Sequence, residues 1–370
     1  MKISTVQSLR PFSHTPGTSL ILPGSFHQLE IFPCLIRVYS LSQTFPELTQ
    51  EIHLDLKGPI HEFTIWCDLE NGKVTVRGKS QQGWFRYHLV SSKVGNHIFL
   101  VLDRAPIEGV RVKIRSVWQL LHRGVFVNLI SENNVFDGYQ PPQCLEKLFL
   151  GNNKAQDIDL IRRRLDLTEI FPLWHRLGQM IPQLPVRNKN DDHGMFSLLK
   201  HCQEIFFEKK PEKGKQEWLN LFQAGFEGIF VPRLEDHSHL GFIEESIASL
   251  NENSPLYLLI EGSSLIRQLF LQEEKNQLFI LPHLLPELHC GRLLNIDLNG
   301  LGRVSLEWSK KTIRCLALHS EKDQEIEIIF RSNVRSYRLR TSNKDPGERL
   351  PTKTSLMLKQ NCDYFFDNFM

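Results

Sequence analysis

The stretch EFTIWCDLENGKVTVR, residues 62–77, decides the fold class of the N-terminal part of the chain. Polar and apolar residues mix on both sides of Glu70-Asn71-Gly72, and an Asn-Gly pair is typical of the turn between two antiparallel strands. Further short segments rich in Ile, Leu, Val and Phe, separated by turn residues, occur on both sides of it between residues 18 and 130. This spacing predicts an antiparallel β-sandwich over residues 1–138.

The pattern changes after Tyr139-Gln140-Pro141-Pro142, which we interpret as a linker. Beyond it, apolar residues recur at helical spacing, which predicts a helical domain over residues 139–275. The segments with this spacing are 144–150, 155–167, 167–177, 195–207, 216–226, 242–250 and 263–271.

A second β region begins near Gln277 and contains about six segments with strand character before Thr341. It predicts a small C-terminal β-domain over residues 276–341, in the form of a second sandwich. The run Ser342-Asn343-Lys344-Asp345-Pro346-Gly347 breaks the pattern, so residues 342–370 are expected to form a tail. The predicted fold class is therefore multidomain α+β, with β-rich ends and a helical middle.

Composition excludes several classes of protein. A length of 370 residues, with 41% hydrophobic and 23% charged residues, is typical of two or three globular domains. The net charge of +2 argues against a nucleic-acid or membrane partner. No apolar run approaches the roughly 20 residues that span a bilayer, and the N-terminus lacks a signal-peptide core, so we expect a cytoplasmic protein.

The cysteines and the motif content favour neither a metal site nor a cofactor. The seven Cys residues show no CxxC pair and no regular spacing, which is typical of free thiols in a reducing compartment. P-loop, GxSxG, dinucleotide-binding and HExxH motifs are absent from the sequence. No metal and no cofactor are expected.

One segment near the C-terminus carries a family resemblance. Residues 254–318 contain Ile260-Glu261-Gly262-Ser263, a leucine-rich helix ending at Gln272, the segment Phe279-Ile280-Leu281-Pro282 and the strand Val304-Ser305-Leu306-Glu307-Trp308. In this order and spacing the segment resembles the end of the (α/α) toroid and the start of the C-terminal domain in glycoside hydrolase family 95. The order sandwich, helices, β-domain is similar to that of these inverting glycosidases as well.

The resemblance implies a role for one carboxylate. The family has an Asp-Gly-Asn turn that opens a helix and whose aspartate helps to activate the attacking water; Glu261 stands at that place, and Ser263 replaces the Asn. Inverting hydrolysis also needs a second carboxylic acid about 6.5–9.5 Å away, and no motif in this chain identifies it. A twelve-helix toroid needs roughly 180 residues or more, so the resemblance implies a partial toroid and an incomplete catalytic apparatus.

Each candidate site residue also has a structural interpretation. Glu261 is either a general base or a carboxylate in the first turn of a helix. Trp174 and His175 either line a sugar-binding surface or belong to a helix core. Asp191, Asp192 and His193 are either an acid–base and ligand-binding cluster or the cap of the following helix.

Two functions follow as expectations. The first is a glycosidase-like protein that binds carbohydrate, as an inverting hydrolase using Glu261 or as a sugar-binding protein without catalysis. The alternative is a non-catalytic structural or protein-interaction protein that retains the glycosidase-like frame. Its partners are then expected to be a protein or a second copy of the chain.

Overall fold

The structure of the chain is a computed structural model that describes residues 3, 7–131, 135–141, 145–187, 193–208, 211–236, 238–243, 253–331, 334–342 and 344–370. It is a mixed α+β protein in which the great majority of strand pairs are antiparallel.

Twelve strands occupy the described residues before the linker, as expected for a β-rich N-terminal region. They are β1 (Phe12–Ser13), β2 (Thr18–Ile21), β3 (His27–Ile31), β4 (Leu35–Ser40), β5 (Glu47–Asp55), β6 (His61–Asp68), β7 (Lys73–Ser80), β8 (Gly83–Ser91), β9 (Ile98–Arg104), β10 (Val110–Ile114), β11 (Val117–Leu121) and β12 (Phe126–Asn128). The predicted hairpin is confirmed: β6 pairs with β7, with Asp68 opposite Lys73. Asp68 caps the turn by accepting the Asn71 N–H.

These strands form two six-stranded antiparallel sheets. The first has the order β1-β6-β7-β8-β9-β12 and the second the order β11-β10-β5-β4-β3-β2. Alternate residues of each sheet are fully buried in one hydrophobic cluster, such as Ile65 and Val76 in the first sheet and Leu29 and Val38 in the second. The edge strands β11 and β12 belong to different sheets.

The middle of the chain contains five helices in its described residues. They are α1 (Ile158–Arg164), α2 (Leu167–Met180), α3 (Met195–Glu208), α4 (Pro211–Gly225) and α5 (Leu256–Phe270), with the short strands β13 (Lys147–Phe149), β14 (Phe226–Glu227) and β15 (Val231–Pro232). Asp157 caps α1 and Asp166 caps α2, each by accepting backbone N–H groups. The helix expected over 242–250 falls largely on residues 244–250, outside the described ranges.

The interior of the helical region is aromatic. Trp174 of α2 and Trp218 of α4 lie at 5.4 Å between ring centroids, and Phe171 and Phe226 pack edge-on against them. Aromatic rings of this size bury a large apolar area and prefer such edge-to-face contacts. The Phe residues of this region therefore contribute to the packing of its core.

The helix predicted over 144–150 is wrong. Residues 147–149 form β13, which pairs with β18 (Gly291–Asp297) at the edge of a C-terminal sheet. Leu148 and Leu150 are buried while Lys147 and Phe149 are partly exposed, which is the two-residue period of a strand. Seven residues were too few to distinguish this period from a helical one.

The C-terminal region contains two further sheets. Its strands are β16 (Leu271–Glu274), β17 (Gln277–Ile280), β18 (Gly291–Asp297), β19 (Gly302–Ser309), β20 (Thr312–Ser320), β21 (Gln324–Phe330), β22 (Ser336–Arg340), β23 (Glu348–Pro351), β24 (Ser355–Leu358) and β25 (Cys362–Asp367). The sheet orders are β13-β18-β19-β20-β25-β22-β23 and β16-β17-β21-β24. Only β17 and β21 pair in parallel among the described strands.

The residues expected to form a tail are part of these sheets. Strand β25 lies between β20 and β22, and its Tyr364 and Phe366 are buried. The run 342–347 does not end the domain, because β22 before it and β23 after it pair with each other. Between these strands, Asp345 accepts the N–H groups of Thr341 and Gly347.

Candidate functional site

Glu261 lies inside a helix and not in a turn. Helix α5 begins at Leu256, five residues before Glu261, and the Ser254 hydroxyl accepts the Leu256 N–H. The adjacent Gly262 serves a close contact between helices, because a Cβ atom at Gly262 would lie 2.4 Å from Cζ2 of Trp174. The expected helix-opening turn at 260–263 is therefore wrong.

Both carboxylate oxygens of Glu261 accept hydrogen bonds from one arginine. The Nε of Arg187 donates to Oε1 at 2.9 Å, and its Nη2 donates to Oε2 at 3.0 Å. The guanidinium also lies over the Phe196 ring at 4.0 Å from its centroid. A bidentate pair of this kind fixes the carboxylate as an acceptor, which disfavours a role as the base that deprotonates a water.

Glu261 borders a groove of about 450 Å³ between α3 and α5, which we call the Glu261 groove. Its described lining residues are Arg187, Phe196, Leu199, Lys200, Gln203, Glu261, Ser264 and Leu265. Glu261 is the only carboxylate among them. The pair of carboxylic acids that inverting hydrolysis requires is therefore absent from the described lining.

Trp174 and His175 are buried and do not border a binding surface. Trp174 is completely inaccessible, and its indole N–H donates to the Leu258 carbonyl at 3.3 Å. His175 is equally enclosed: its Nδ1 lies 3.2 Å from the Ser263 carbonyl and its Nε2 lies 3.3 Å from Oε2 of Glu146. No sugar ring can stack on either side chain in this structure, so the core interpretation describes both residues.

Asp191 and Asp192 lie outside the described residues, so nothing places them beside a ligand. His193 is half-buried and precedes α3, where its carbonyl accepts the Phe196 N–H at 3.2 Å. His193 thus lies two residues before α3 begins at Met195, which is the position of a residue at the start of a helix.

His175 lies beside a largely buried group of ion pairs that joins three parts of the chain. Glu146 after the linker binds Arg267 of α5 at 3.0 Å, and Arg267 in turn binds Glu273 of β16 at 2.7 Å. Burial alone raises the pKa of Glu146, but the neighbouring His175 and Arg267 side chains outweigh it and hold that pKa below its usual value. This group is a structural connection, since Arg267 joins Glu146 to Glu273 across separate segments of the chain.

A second concave site lies between the second sheet and the helical region. It is a cleft of about 570 Å³, which we call the polar cleft; its charged lining residues are Glu30, Asp159, Arg162, Glu227, Arg233 and Glu235. Glu30 projects from β3, Asp159 and Arg162 from α1, and Glu227 from β14. Tyr39 of β4 also lines it, with its hydroxyl donating to Glu30 at 3.2 Å.

One backbone contact joins two segments that line the polar cleft. The turn between β14 and β15 approaches the edge strand β2 so closely that Ile229 donates its N–H to the Ser19 carbonyl at 2.8 Å. A Cβ atom at Gly228 would lie 2.0 Å from that carbonyl oxygen, and Gly228 has a φ of +48°. Only glycine permits this approach.

Contacts with neighbouring residues fix the positions of the two arginines of the polar cleft. Arg233 is buried, donates to Gln28 at 2.9 Å and pairs with Glu227. Arg162 donates to the Phe226 carbonyl at 2.8 Å and lies over the Phe222 ring. Burial lowers the pKa of both guanidinium groups, and Glu227 opposes this in each case. The cleft thus presents fixed donors and acceptors on one surface, with carboxylates in excess.

Sequence reasoning missed the polar cleft because its residues come from separate segments between 15 and 235. Asp159 and Arg162 lie three residues apart on α1, but Glu30 and the charges at 227–235 are far from them in sequence, so no single local motif contains the cleft. Within the described ranges, no group of three or more His, Cys, Asp or Glu side chains is arranged to hold a metal ion.

Comparison of the chain with protein-family models finds no match, and comparison with curated proteins finds none either. Every helix in the described part of the chain falls short of the length and apolar character that crossing a bilayer requires.

Proposed function

We propose that the chain is a glycosidase-like carbohydrate-binding protein, and that the polar cleft and not Glu261 holds the sugar. The observation that carries this proposal is the composition of the cleft, where carboxylates and guanidinium groups line one concavity of about 570 Å³. That volume lies within the range of about 300–1,000 Å³ typical of small-molecule sites. The resemblance to toroid glycosidases supports the ligand class.

Sugar hydroxyls suit such a lining. A hydroxyl donates one hydrogen bond and accepts two, so it can bond to a carboxylate oxygen and to a guanidinium N–H at once. Four carboxylates face two guanidinium groups among the lining residues, which disfavours phosphorylated or acidic sugars. We therefore propose a neutral sugar or an amino sugar as the ligand.

Binding without hydrolysis is the better supported half of the carbohydrate hypothesis. Arg187 engages both oxygens of Glu261, and the described lining of its groove supplies no second carboxylate. We further propose that the five described helices are a reduced relative of the toroid, that the two N-terminal sheets form the flanking β-sandwich, and that the protein acts in the cytoplasm.

The test is a thermal-shift screen with neutral mono- and oligosaccharides and amino sugars, followed by calorimetry on each sugar that raises the melting temperature. A ligand that binds only the folded state raises that temperature by mass action. The matched variants are Glu30→Gln in the polar cleft and Glu261→Gln in the Glu261 groove, since both make the same chemical change. We expect Glu30→Gln to weaken binding by about tenfold or more and Glu261→Gln to leave it unchanged.

Three outcomes would contradict the proposal. Loss of binding in Glu261→Gln alone would move the ligand to the Glu261 groove. Turnover of a chromogenic glycoside that depends on Glu261 would restore the hydrolase hypothesis. No shift with any sugar at millimolar concentration would leave the alternative, a non-catalytic structural or interaction protein.

A further inference from the structure

The outward face of the first N-terminal sheet carries a concentration of positive charge. Residues 73–104, which include β7, β8 and β9, contain six Lys or Arg residues and one Asp, whereas the net charge of the whole chain is +2. Val76 and Phe85 are buried in the core. Their neighbours Arg77 and Arg86 therefore project to the opposite face of the sheet, where both are exposed.

Three arginines form a row across this face. Arg77 of β7 lies directly opposite Arg86 of β8, and Arg86 lies opposite Arg104 of β9. Like charges at opposed positions destabilise a sheet, so an anionic ligand would relieve a repulsion that the fold already contains. Asp103 pairs with Arg86. Within the described residues, no carboxylate forms an ion pair with Arg77, Lys79 or Arg104, whose contacts are with aromatic rings.

Two indole rings position these cations. The Arg77 guanidinium lies over the Trp66 ring of β6, with its carbon 4.5 Å from the ring centroid. Arg104 and Lys79 lie over the Trp84 ring of β8, at 5.6 Å and 6.0 Å. Such cation–π contacts attract the cation to the ring face. Both indoles are only partly exposed while the three cations are exposed, so a ligand meets the cations first.

We call the side chains of this site the cationic face; they are Trp66, Arg77, Lys79, Trp84, Arg86 and Arg104. A guanidinium that is stacked on an indole offers two kinds of contact. Its N–H groups donate in pairs to phosphate oxygens, and its flat outer surface is one on which unpaired bases stack.

This combination of contacts fits single-stranded nucleic acid. A single strand supplies phosphates and unpaired bases along one chain, and proteins that bind it without sequence preference combine a cationic surface with stacking platforms. The net charge of +2 argues against such a partner only where charge is spread evenly over the molecule, and here the positive charge is concentrated on one face.

Other polyanions use only part of the cationic face. An anionic polysaccharide has no planar base to stack on a guanidinium, so only the charges would contribute to its binding. A DNA duplex presents its base edges in grooves that admit a helix or a β-ribbon, whereas this site is the broad side of a sheet. Attachment to a membrane surface adds buried apolar side chains to charge attraction, and the exposed members of the cationic face are all charged.

We propose that the cationic face binds single-stranded nucleic acid. The phosphates pair with Arg77, Lys79 and Arg104, and a base stacks on the Arg77 guanidinium above Trp66. The cationic face shares no residue with the polar cleft, so this proposal does not depend on the carbohydrate proposal.

The probes are fluorescein-labelled DNA and RNA strands of about 12 nucleotides, without self-complementarity, and binding to the full-length chain is measured by fluorescence anisotropy. Each phosphate contact with a single strand contributes about 0.7 to the fall of log K with log salt. Arg77, Lys79 and Arg104 therefore predict a slope of about −2. A strand of the same length that lacks all its bases keeps the phosphates, and we expect it to bind about tenfold or more weakly.

The key variants are Arg77→Gln, which removes the charge, and Arg77→Lys, which keeps the charge and removes the planar group. Arg314→Gln is the matched control, because Arg314 is an exposed arginine on β20 of a C-terminal sheet. Circular dichroism verifies that all three variants fold.

We expect Arg77→Gln to weaken binding by about fivefold or more and to reduce the slope by about 0.7. Arg77→Lys should keep the slope and reduce the difference between the complete strand and the strand without bases. Arg314→Gln should change neither quantity. Photo-cross-linking of strands that contain 4-thiouracil to the unmodified chain is a readout that needs no variant, and the cross-links should fall within residues 62–104.

Several results would overturn the proposal. These are the absence of binding at low salt, equal effects of Arg77→Gln and Arg314→Gln, and cross-links confined to other parts of the chain. Equal binding of the complete strand and the strand without bases, together with tighter binding of heparin, would assign the cationic face to an anionic polysaccharide. Binding to phosphatidylserine vesicles without binding to any strand would assign it to a membrane surface.

Discussion

At the residue scale, Glu261 and Arg187 form a pair whose cation is almost fully enclosed, because the Arg187 side chain is only 7% exposed. Glu261→Gln keeps the shape of the side chain but leaves this guanidinium with a neutral partner. We expect a loss of about 1–3 kcal/mol in the free energy of unfolding, measured by urea denaturation.

The matched control for this prediction is Glu51→Gln. Glu51 binds Arg37 at 2.8 Å, yet both side chains are more than a third exposed, and a surface ion pair contributes about 0–1 kcal/mol. If both variants lose the same free energy of unfolding, the Arg187–Glu261 pair stabilises the fold no more than a surface ion pair does.

His27 predicts a pH dependence of stability. Burial, and then the neighbouring His97, lower the pKa of His27 to about 4, whereas an unfolded histidine titrates near about 6.5. The unfolded chain therefore takes up this proton first, so stability is complete above about pH 6.5 and falls progressively toward pH 4. One proton gives a slope of at most about 1.4 kcal/mol per pH unit.

The measurement is urea unfolding of the chain and of His27→Gln between about pH 7 and pH 4. We expect a flatter dependence in the variant, with His61→Gln on the exposed surface as the control for loss of a histidine. Identical pH profiles for the chain and His27→Gln would exclude His27 as the source.

At the scale of elements, two glycines allow α2 and α5 to pack closely. A Cβ atom at Gly178 would lie 2.4 Å from the Leu259 carbonyl oxygen, and one at Gly262 would lie 2.4 Å from the Trp174 ring. Gly262→Ala improves helix propensity by roughly 1 kcal/mol, but it forces a methyl group against a fully buried indole. We expect net destabilisation of about 1–3 kcal/mol in chemical denaturation.

Gly225→Ala at the end of α4 is the control, since its nearest contacts would be at 3.4 Å. It should change stability by less than about 0.5 kcal/mol or raise it slightly. If Gly262→Ala raises the free energy of unfolding, α2 and α5 can move apart enough to accept the methyl group without destabilising the fold.

The sequence predicted most elements of the N-terminal region because alternation and turn residues are local signals. The errors arose where a partner distant in sequence decides the structure. Strand β13 exists because β18 offers an edge to pair with, and β25 fills the gap between β20 and β22. Neither partner can be recognised within a window of a few residues.

At the scale of the whole molecule, Arg267 connects the helical region to both of its neighbours. It binds Glu146 after the linker, Glu273 of β16 and the Asp297 carbonyl at the end of β18. Arg267→Gln leaves two partly buried carboxylates without their cation. We expect a loss of about 3–5 kcal/mol, measured as unfolding by urea.

The same substitution should change the response to acid. The pKa of Glu146 is held below its usual value in the folded chain. The ionised carboxylate therefore stabilises the fold when the pH is above the usual pKa, and this stabilisation is lost as the pH falls through the lowered pKa. Removing Arg267 should diminish this acid-dependent loss. Arg303→Gln, in the exposed pair with Glu321, is the control and should cost less than about 0.5 kcal/mol.

The sequence by itself determined the β-rich ends and the helical middle, since periodicity and turn chemistry are local properties. Tertiary structure alone decided the sites. It enclosed Trp174 and His175, placed Arg187 on Glu261, and gathered Glu30, Asp159, Glu227 and Arg233 into one cleft. The physical reason is that burial and charge pairing depend on which distant segments pack together, and this information is distributed over the whole chain.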